Sequence, residues 1–382
     1  MSYLIAVGRL VLIAGVLVDS FEVLLLPRRI AHHFRFARLF YIYSWTPWAA
    51  LARRMRSSKR RSYFLSFFGP LSVLVQMGVW AAGLILGFAS LQWSLGSPLH
   101  TPGDDARFPV YLYFSGVTFF TLGFGDVTPA FGLGLFLAVA ETGLGFAFLA
   151  VVISYLPVLY QAFSHREVTI SLLDARAGSP PTAGQLLIRL AQRRNFALLD
   201  RFLEEWERWA AEVLESHISF PVLSYYRSQH DNQSWLAALT AILDTAALVI
   251  AGVKGTDPYQ AQLTFATARH TVVDLAQVYY VPPIEPDPDR LPEDRLLQLR
   301  EELRAAGIEL RDGEAVDRNL AELRGMYEPF VTALARHFLL ALPPVLSDLT
   351  PVDNWQTSAW MRRTIGIGRL APLEQPCDDH RD

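Results

Sequence analysis

The sequence predicts an all-α protein divided between membrane and water, and three observations predict it. Apolar stretches over 3–26, 67–95 and 131–160 each reach the roughly 20 residues that a helix needs to cross a hydrocarbon core. Between the first two lies a strongly basic run without a single carboxylate. From residue 164 onward, apolar residues recur at helical spacing among ordinary numbers of charges, as in soluble helical proteins. The whole chain of 382 residues is 52% hydrophobic with a mean hydropathy of +0.23, a value between those of the two environments. A net charge of −3 gives no basis for nucleic-acid binding, and the single Cys377 excludes an intrachain disulfide framework.

The first stretch carries Arg9, Asp19 and Glu22 and has no small-residue cleavage site, so 1–27 is expected to be a span rather than a secretory leader. Asp19 and Glu22 are expected to pair with Arg28 or Arg29. Segment 28–62 holds Arg28, Arg29, Arg35, Arg38, Arg53, Arg54, Arg56, Lys59, Arg60 and Arg61, which places it on the cytoplasmic side by the positive-inside bias. Phe34, Phe36, Leu39, Phe40, Tyr41, Trp45 and Trp48 interleave with these cations, the pattern of a helix at an anionic lipid surface. Anchoring the topology is the simpler role for it.

A multi-pass topology in the cell's inner membrane follows. The N-terminus is outside, the second span runs outward, a loop with Asp104 and Asp105 is external, and the third span returns, leaving everything after 160 cytoplasmic. Region 63–163 would then be a membrane domain and 164–382 a cytoplasmic helical regulatory or assembly domain.

Between the second and third spans lies 108–126, FPVYLYFSGVTFFTLGFGD, too short to cross and ending in Thr121-Leu122-Gly123-Phe124-Gly125-Asp126. This segment resembles the pore helix and selectivity filter of the potassium-channel family. The resemblance covers about 67–160 and implies an outer helix, pore helix with filter, and inner helix. The physical need behind these residue types can be stated separately. Replacing the hydration shell of a cation requires successive backbone carbonyls to face one axis, whereas an ordinary strand alternates them. Glycine at every second position accepts the backbone angles that turn them to one side, which is what Gly123 and Gly125 supply. The carbonyls of Thr121, Leu122, Gly123 and Phe124, leading to Gly125, would form stacked rings around K+, with the Thr121 hydroxyl as the innermost ring. One such segment per chain requires four chains, hence a homotetramer.

Two positions depart from the commonest family pattern. Phe124 replaces tyrosine and Leu122 replaces valine or isoleucine, both of which occur among potassium-selective relatives. Phe124 lacks a hydroxyl, and Phe114, the cuff residue that would meet it, lacks a donor, so the two losses are mutually consistent. Tyr113 stands where the family's residue donates to the filter aspartate, here Asp126. Thr118, on the same short helix, is a further candidate for filter support.

On the third span, the resemblance places Gly145 at the inner-helix hinge. Gly143 and Gly132 add soft points, and Pro157 removes a helical hydrogen bond and should kink the helix, giving a gate between 145 and 160. Close packing through small residues is the alternative reading of Gly145. Glu141, an ionisable group within the span, faces either the aqueous cavity, where it would concentrate cations, or the short helix, where a protonated form could bond Ser115 or Thr118. A voltage sensor is not expected, because Arg9 stands alone rather than in a repeating arginine series.

The soluble part breaks at Gly178-Ser179-Pro180-Pro181-Thr182. Helices are expected over 186–194, 198–216, 235–253 and 260–280, then a proline-rich linker 282–292 and a further helical stretch 293–342. No strand followed by a Gly-x-Gly-x-x-Gly turn occurs, so a dinucleotide fold is not predicted. Glu215, His217, His230, Asp231, and His270 with Asp274 are polar candidates for a divalent metal. Surface helices carry such pairs routinely, so no metal beyond K+ and no organic cofactor is expected. Phe202, Leu203, Trp206 and Trp209 read as core or subunit contacts. No nucleophile, base and orienting group cluster in this half, so an enzyme is not expected. The leading function is passive potassium conduction, with an effector of the cytoplasmic domain that the residues do not specify. The competing classes are a weakly selective monovalent cation channel and a membrane-tethered signalling protein with a non-conducting pore module.

Overall fold

The computed structural model describes residues 2–24, 36–101, 103, 107–191, 196–228 and 233–347. Arg28, Arg29, Phe34, Arg35, Asp104, Asp105, His230, Asp231 and Cys377, singled out above, lie outside the described residues. The chain forms two units, Met1–Phe163 with His217–Arg227, and Ser164–Ser216 with Ser228–Asp382.

The first unit contains α1 (Ser2–Leu24), α2 (Phe36–Arg53), α3 (Ser58–Ser66), α4 (Phe68–Ser94), α5 (Phe108–Phe119) and the beginning of α6 (Leu133–Ala177). Helix α4 is 27 residues without one charge, about 40 Å of apolar helix. Helix α1 packs on α4 where Gly83 and Gly87 lie one turn apart. A Cβ at Gly87 would stand 2.6 Å from Cγ1 of Ile13, so a side chain there would force the helices to shift, and one at Gly83 would stand a tight 3.1 Å from Cγ2 of Val16.

Asp19 is buried in this contact and accepts from Trp80 Nε1 at 2.8 Å and from the Ala37 amide at 3.2 Å. The arginines expected to pair with it, Arg28 and Arg29, lie outside the described residues. The start of α2 offers an amide with no helical acceptor, and a carboxylate beside a helix N-terminus is favoured by the helix dipole. Arg9 donates to the Ser90 carbonyl and lies 5.7 Å from the Trp93 ring centre.

The return segment His217–Arg227 completes the unit through a short 3-10 helix, Pro221–Tyr225. Tyr225 stacks on Tyr41 at 5.5 Å and meets Trp45 and Phe68 at 5.0 and 5.1 Å. Tyr226 packs against Phe163 at 5.4 Å, and its ring lies over Gly69, where a Cβ would come within 2.6 Å of it.

In the second unit, α6 runs on to Ala177, well past the expected end near residue 160, and Pro157 sits inside the unbroken helix. The helix stops at Gly178, whose φ of +80° gives a left-handed cap, with its amide bonded to the Asp174 carbonyl at 2.9 Å. Beyond it lie α7 (Ala183–Ala191), α8 (Phe196–Ser219), α9 (Trp235–Gly252), α10 (Tyr259–Val278), α11 (Glu293–Ala305), α12 (Glu314–Gly325) and α13 (Glu328–Phe338). The expected helical stretch over 293–342 is thus three helices. Gly307 and Gly313, at φ of +89° and +114°, break the first two apart.

Three described helical stretches are long and apolar enough to cross a membrane: Ser58–Ser94, Leu133–Ala177 and Trp235–Gly252. The last, α9, is enclosed by protein at every residue except Ile250, so packing accounts for its apolar circumference. Helix α10 lies along α8, with Thr264 and Thr271 donating to the carbonyls of Leu203 and Ala210 at 3.0 and 3.1 Å. Phe202, Leu203, Trp206 and Trp209 are all buried there.

Segment 282–292 is pinned rather than free. Arg290 forms a bidentate pair with Asp244 of α9 at 3.1 and 2.6 Å, reaches Glu328 at 2.9 Å, and donates to the Pro343 carbonyl. Tyr327 donates to the same Asp244 at 2.5 Å, and Arg324 binds Glu328 and Asp289. Burial pushes the Glu328 carboxyl upward, against the opposing pull of Arg324 and Arg290. Removing one member would strand a buried charge, which typically costs about 3–5 kcal/mol. Arg290→Ala should therefore lower the thermal melting of the helical signal in the detergent-solubilised chain. Melting as in the wild type would show that the network adds no stability.

Candidate functional site

The connection between α4 and α6 builds the site. After α4 the chain enters β1 (Leu99–His100), which pairs antiparallel with β2 (Thr128–Pro129), Leu99 opposite Pro129 and His100 opposite Thr128. This clip closes the ends of the excursion. Inside it, α5 starts with Pro109 in its first turn, where the missing N–H costs nothing, and Phe108 packs on Trp93 at 5.3 Å. Tyr111 donates to the Ser97 carbonyl at 2.7 Å, tying α5 to the end of α4.

Helix α5 ends in a left-handed turn. The Leu122 amide reaches back to the Val117 carbonyl at 2.9 Å, the Thr121 amide to Thr118 at 3.1 Å, and Thr121 itself has φ of +56°. Glycine usually fills that position. A β-branched residue there costs about 1–2 kcal/mol, so threonine is retained against conformational preference. The pattern continues through Gly123 at +60° and Gly125 at +79°, with Leu122 and Phe124 between them at ordinary negative φ. The glycine positions match the sequence reasoning, whereas the positive angle of Thr121 carried no sequence signal.

The side chains of this loop turn away from the protomer. Phe120, Leu122 and Phe124 are 58%, 55% and 66% exposed, large apolar groups on a stretch that no element of the same chain covers. Tyr113 donates to Asp126 Oδ2 at 2.9 Å. Phe114, on α5, is buried, while Phe124 is exposed. Thr118 is half-buried and contributes its carbonyl to the turn.

Two residues of α6 complete the back of the site. Glu141 is fully buried and faces the short helix: its Oε1 lies within hydrogen-bonding distance of Ser115 Oγ, which also contacts the Ile85 carbonyl at 2.8 Å. Of the two orientations open from sequence, this is the one toward Ser115. Gly145 lies against the last residue of α5, where a Cβ would stand 2.0 Å from the Phe119 carbonyl oxygen. Close packing is therefore a requirement at Gly145. Nothing lies within 4 Å of a Cβ built at Gly143. An apolar cavity of about 260 Å³ opens beside this contact, lined by Met77, Ala81, Phe119, Thr121, Gly145 and Phe148 among others.

No group of three His, Cys, Asp or Glu side chains converges for a metal among the described residues. His270 Nε2 lies 3.6 Å from Asp274 Oδ2 on the same helix.

Gly145→Ala must push backbone against backbone and should destabilise the first unit by about 1–3 kcal/mol, as overpacked sites do. The check is thermal melting of the detergent-solubilised protein. Unchanged melting would mean that α6 can shift freely from α5.

Comparison with known proteins agrees with this geometry. Residues 79–161 match a family model described as an ion channel. The uncharacterized membrane protein YdjJ of Bacillus subtilis is 29% identical over 239 residues, 59% of this chain and 67% of the relative, a longer stretch than the channel domain alone. Protein LctB of Geobacillus stearothermophilus is 37% identical over 94 residues, and that of Bacillus caldotenax 36% over 94 residues, each covering 22% of this chain and 67% of the relative. No solved structure matches the chain. With a match that runs from within α4 through the short helix and the exposed turn into α6, this chain belongs to the ion-channel family.

Proposed function

We propose that the protein conducts K+ passively through a homotetrameric pore lined by the backbone of 121–125. The observation that carries this reading is the run of positive φ at Thr121, Gly123 and Gly125 within one exposed stretch. Alternating the sign of φ turns successive carbonyls to a common side, and four chains around one axis make rings of oxygens that substitute for water around the ion. The Thr121 hydroxyl adds an inner ring, which gives a reason for threonine in a left-handed turn. Apolar Leu122 and Phe124, bare on one protomer, are then buried against neighbouring copies. Non-helical backbone at membrane depth is tolerated only under such cover.

Tyr113 holds Asp126, and so the outer end of the filter, in place. Arg53, Arg54, Arg56, Lys59, Arg60 and Arg61 are exposed and suit anionic lipid headgroups on the cytoplasmic face. The second unit serves regulation or assembly, and transport rather than catalysis is the activity of the whole.

Purified protein in liposomes should pass K+ far faster than Na+ and be blocked by barium. Equal K+ and Na+ fluxes would leave only a weakly selective cation channel. In Gly123→Ala, a left-handed alanine costs about 1–2 kcal/mol per subunit, hence about 4–8 kcal/mol over four. K+ flux should fall about a hundredfold or more while the particle keeps its size, and retained flux would remove the filter from this loop. Tyr113→Phe should conserve single-channel conductance and speed slow inactivation, measured in planar bilayers under sustained recording. Unaltered inactivation would sever the Tyr113–Asp126 bond from filter stability.

A further inference from the structure

We infer that Glu141 is a neutral acid at physiological pH, donating its proton to Ser115 Oγ, and that the resulting chain from Glu141 through Ser115 to Ile85 clasps α6, α5 and α4 together and positions α5. Counting protons leads to this assignment. A serine hydroxyl has one proton to give. Ser115 Oγ contacts two oxygens, the Ile85 carbonyl at 2.8 Å and Glu141 Oε1. The carbonyl can only accept, so the Ser115 proton belongs there. The contact with Glu141 is then a hydrogen bond only if the acid supplies the proton. Were Glu141 ionised, Ser115 would have to turn its proton to the carboxylate, leaving two lone-pair-bearing oxygens 2.8 Å apart at Ile85.

The surroundings agree independently. Glu141 is 0% exposed within its own protomer, so neither water nor a neighbouring copy reaches it. Helices α4 and α5 contain no Asp, Glu, Lys, Arg or His, and α6 up to Phe163 contains Glu141 alone. On α1, Arg9 is engaged with the Ser90 carbonyl and the Trp93 ring, and Asp19 with Trp80 and Ala37. Of the other hydroxyls of α5, Tyr111 is committed to Ser97 and Tyr113 to Asp126, and Thr118 makes no hydrogen bond to Glu141. Among the described residues an anion here would have no counter-charge, and its second oxygen, Oε2, has no partner. A bare neutral carbonyl oxygen is tolerable inside a protein at moderate cost, whereas a bare carboxylate is not.

The clasp grips α5 at Ser115, six residues before the left-handed Thr121. Glu141 is therefore a positioning residue for the loop rather than a cation-attracting group in a water-filled cavity. Only the flux arm of the test below rests on the channel reading.

The first measurement is infrared spectroscopy of the full chain in liposomes at neutral pH, wild type minus Glu141→Gln. It should show the carbonyl stretch of a protonated carboxylic acid in wild type and its loss in the variant, which also subtracts any acid band from the second unit. Ser115→Ala should shift that band upward as the acid loses its acceptor. The second measurement is K+ flux. Glu141→Leu, of similar bulk without a donor, and Ser115→Ala should each lower it about tenfold, the scale of one lost buried hydrogen bond. Glu141→Gln, whose amide N–H can still donate to Ser115, should restore it to within about twofold of wild type. Absence of the acid band in wild type would overturn the proton assignment. Full flux in Glu141→Leu at unchanged particle size would overturn the positioning role. An intact band in a protein that passes no ion would support the clasp and sink the conduction reading instead.

Discussion

A helix that stops inside an apolar unit must dispose of its last carbonyls and of the polar backbone that follows, and this constraint organises the first unit. Helix α5 is only 12 residues long and ends among hydrophobic neighbours. The carbonyls of Gly116, Val117 and Thr118 are taken by the amides of Phe120, Leu122 and Thr121. The remaining support is lateral: Tyr111 on the α4 terminus, Ser115 between Ile85 and Glu141, and the Phe119 carbonyl against a glycine of α6. Tyr111, Ser115 and Phe119 are spaced by four along α5 and so share one face, the face by which the helix is held against α4 and α6.

Much of this was legible from residue types. The charge-free α4, the short helix and the glycines at 123 and 125 follow from hydropathy and from backbone freedom, and the structure has them where the pattern puts them. What escaped sequence reasoning depended on contacts between distant segments. The left-handed Thr121 arises from how α5 terminates, and no intrinsic preference of threonine signals it. Glu141 had two plausible neighbours until α5 was placed. Asp19 accepts from residues 37 and 80, on two other helices that its own surroundings in sequence do not identify. A signal was also overlooked: Gly83 and Gly87, spaced by four, mark the groove that receives α1.

The second unit follows a different logic. Its central helix, apolar but for Thr240, Asp244 and Thr245, is long and apolar enough to pass for a membrane span on composition alone, but protein encloses it. Polar order within it is concentrated in one buried cluster around Arg290, whose guanidinium fixes an otherwise proline-rich connection onto α9 and α13. Such a network adds geometric specificity, because a planar guanidinium matches a carboxylate in one orientation.

Residues 217–227 bear on how the molecule is made. The aromatic socket formed by Tyr41, Trp45 and Phe68 is filled by Tyr225, a residue synthesised more than fifty positions after the last membrane-unit residue of α6. The intramembrane helices can therefore be inserted while that socket is still open, and the unit is finished only when the returning chain arrives. A product ending at residue 163 would expose the rings of Tyr41, Trp45 and Phe68 and be a different object from the same residues in the full-length chain.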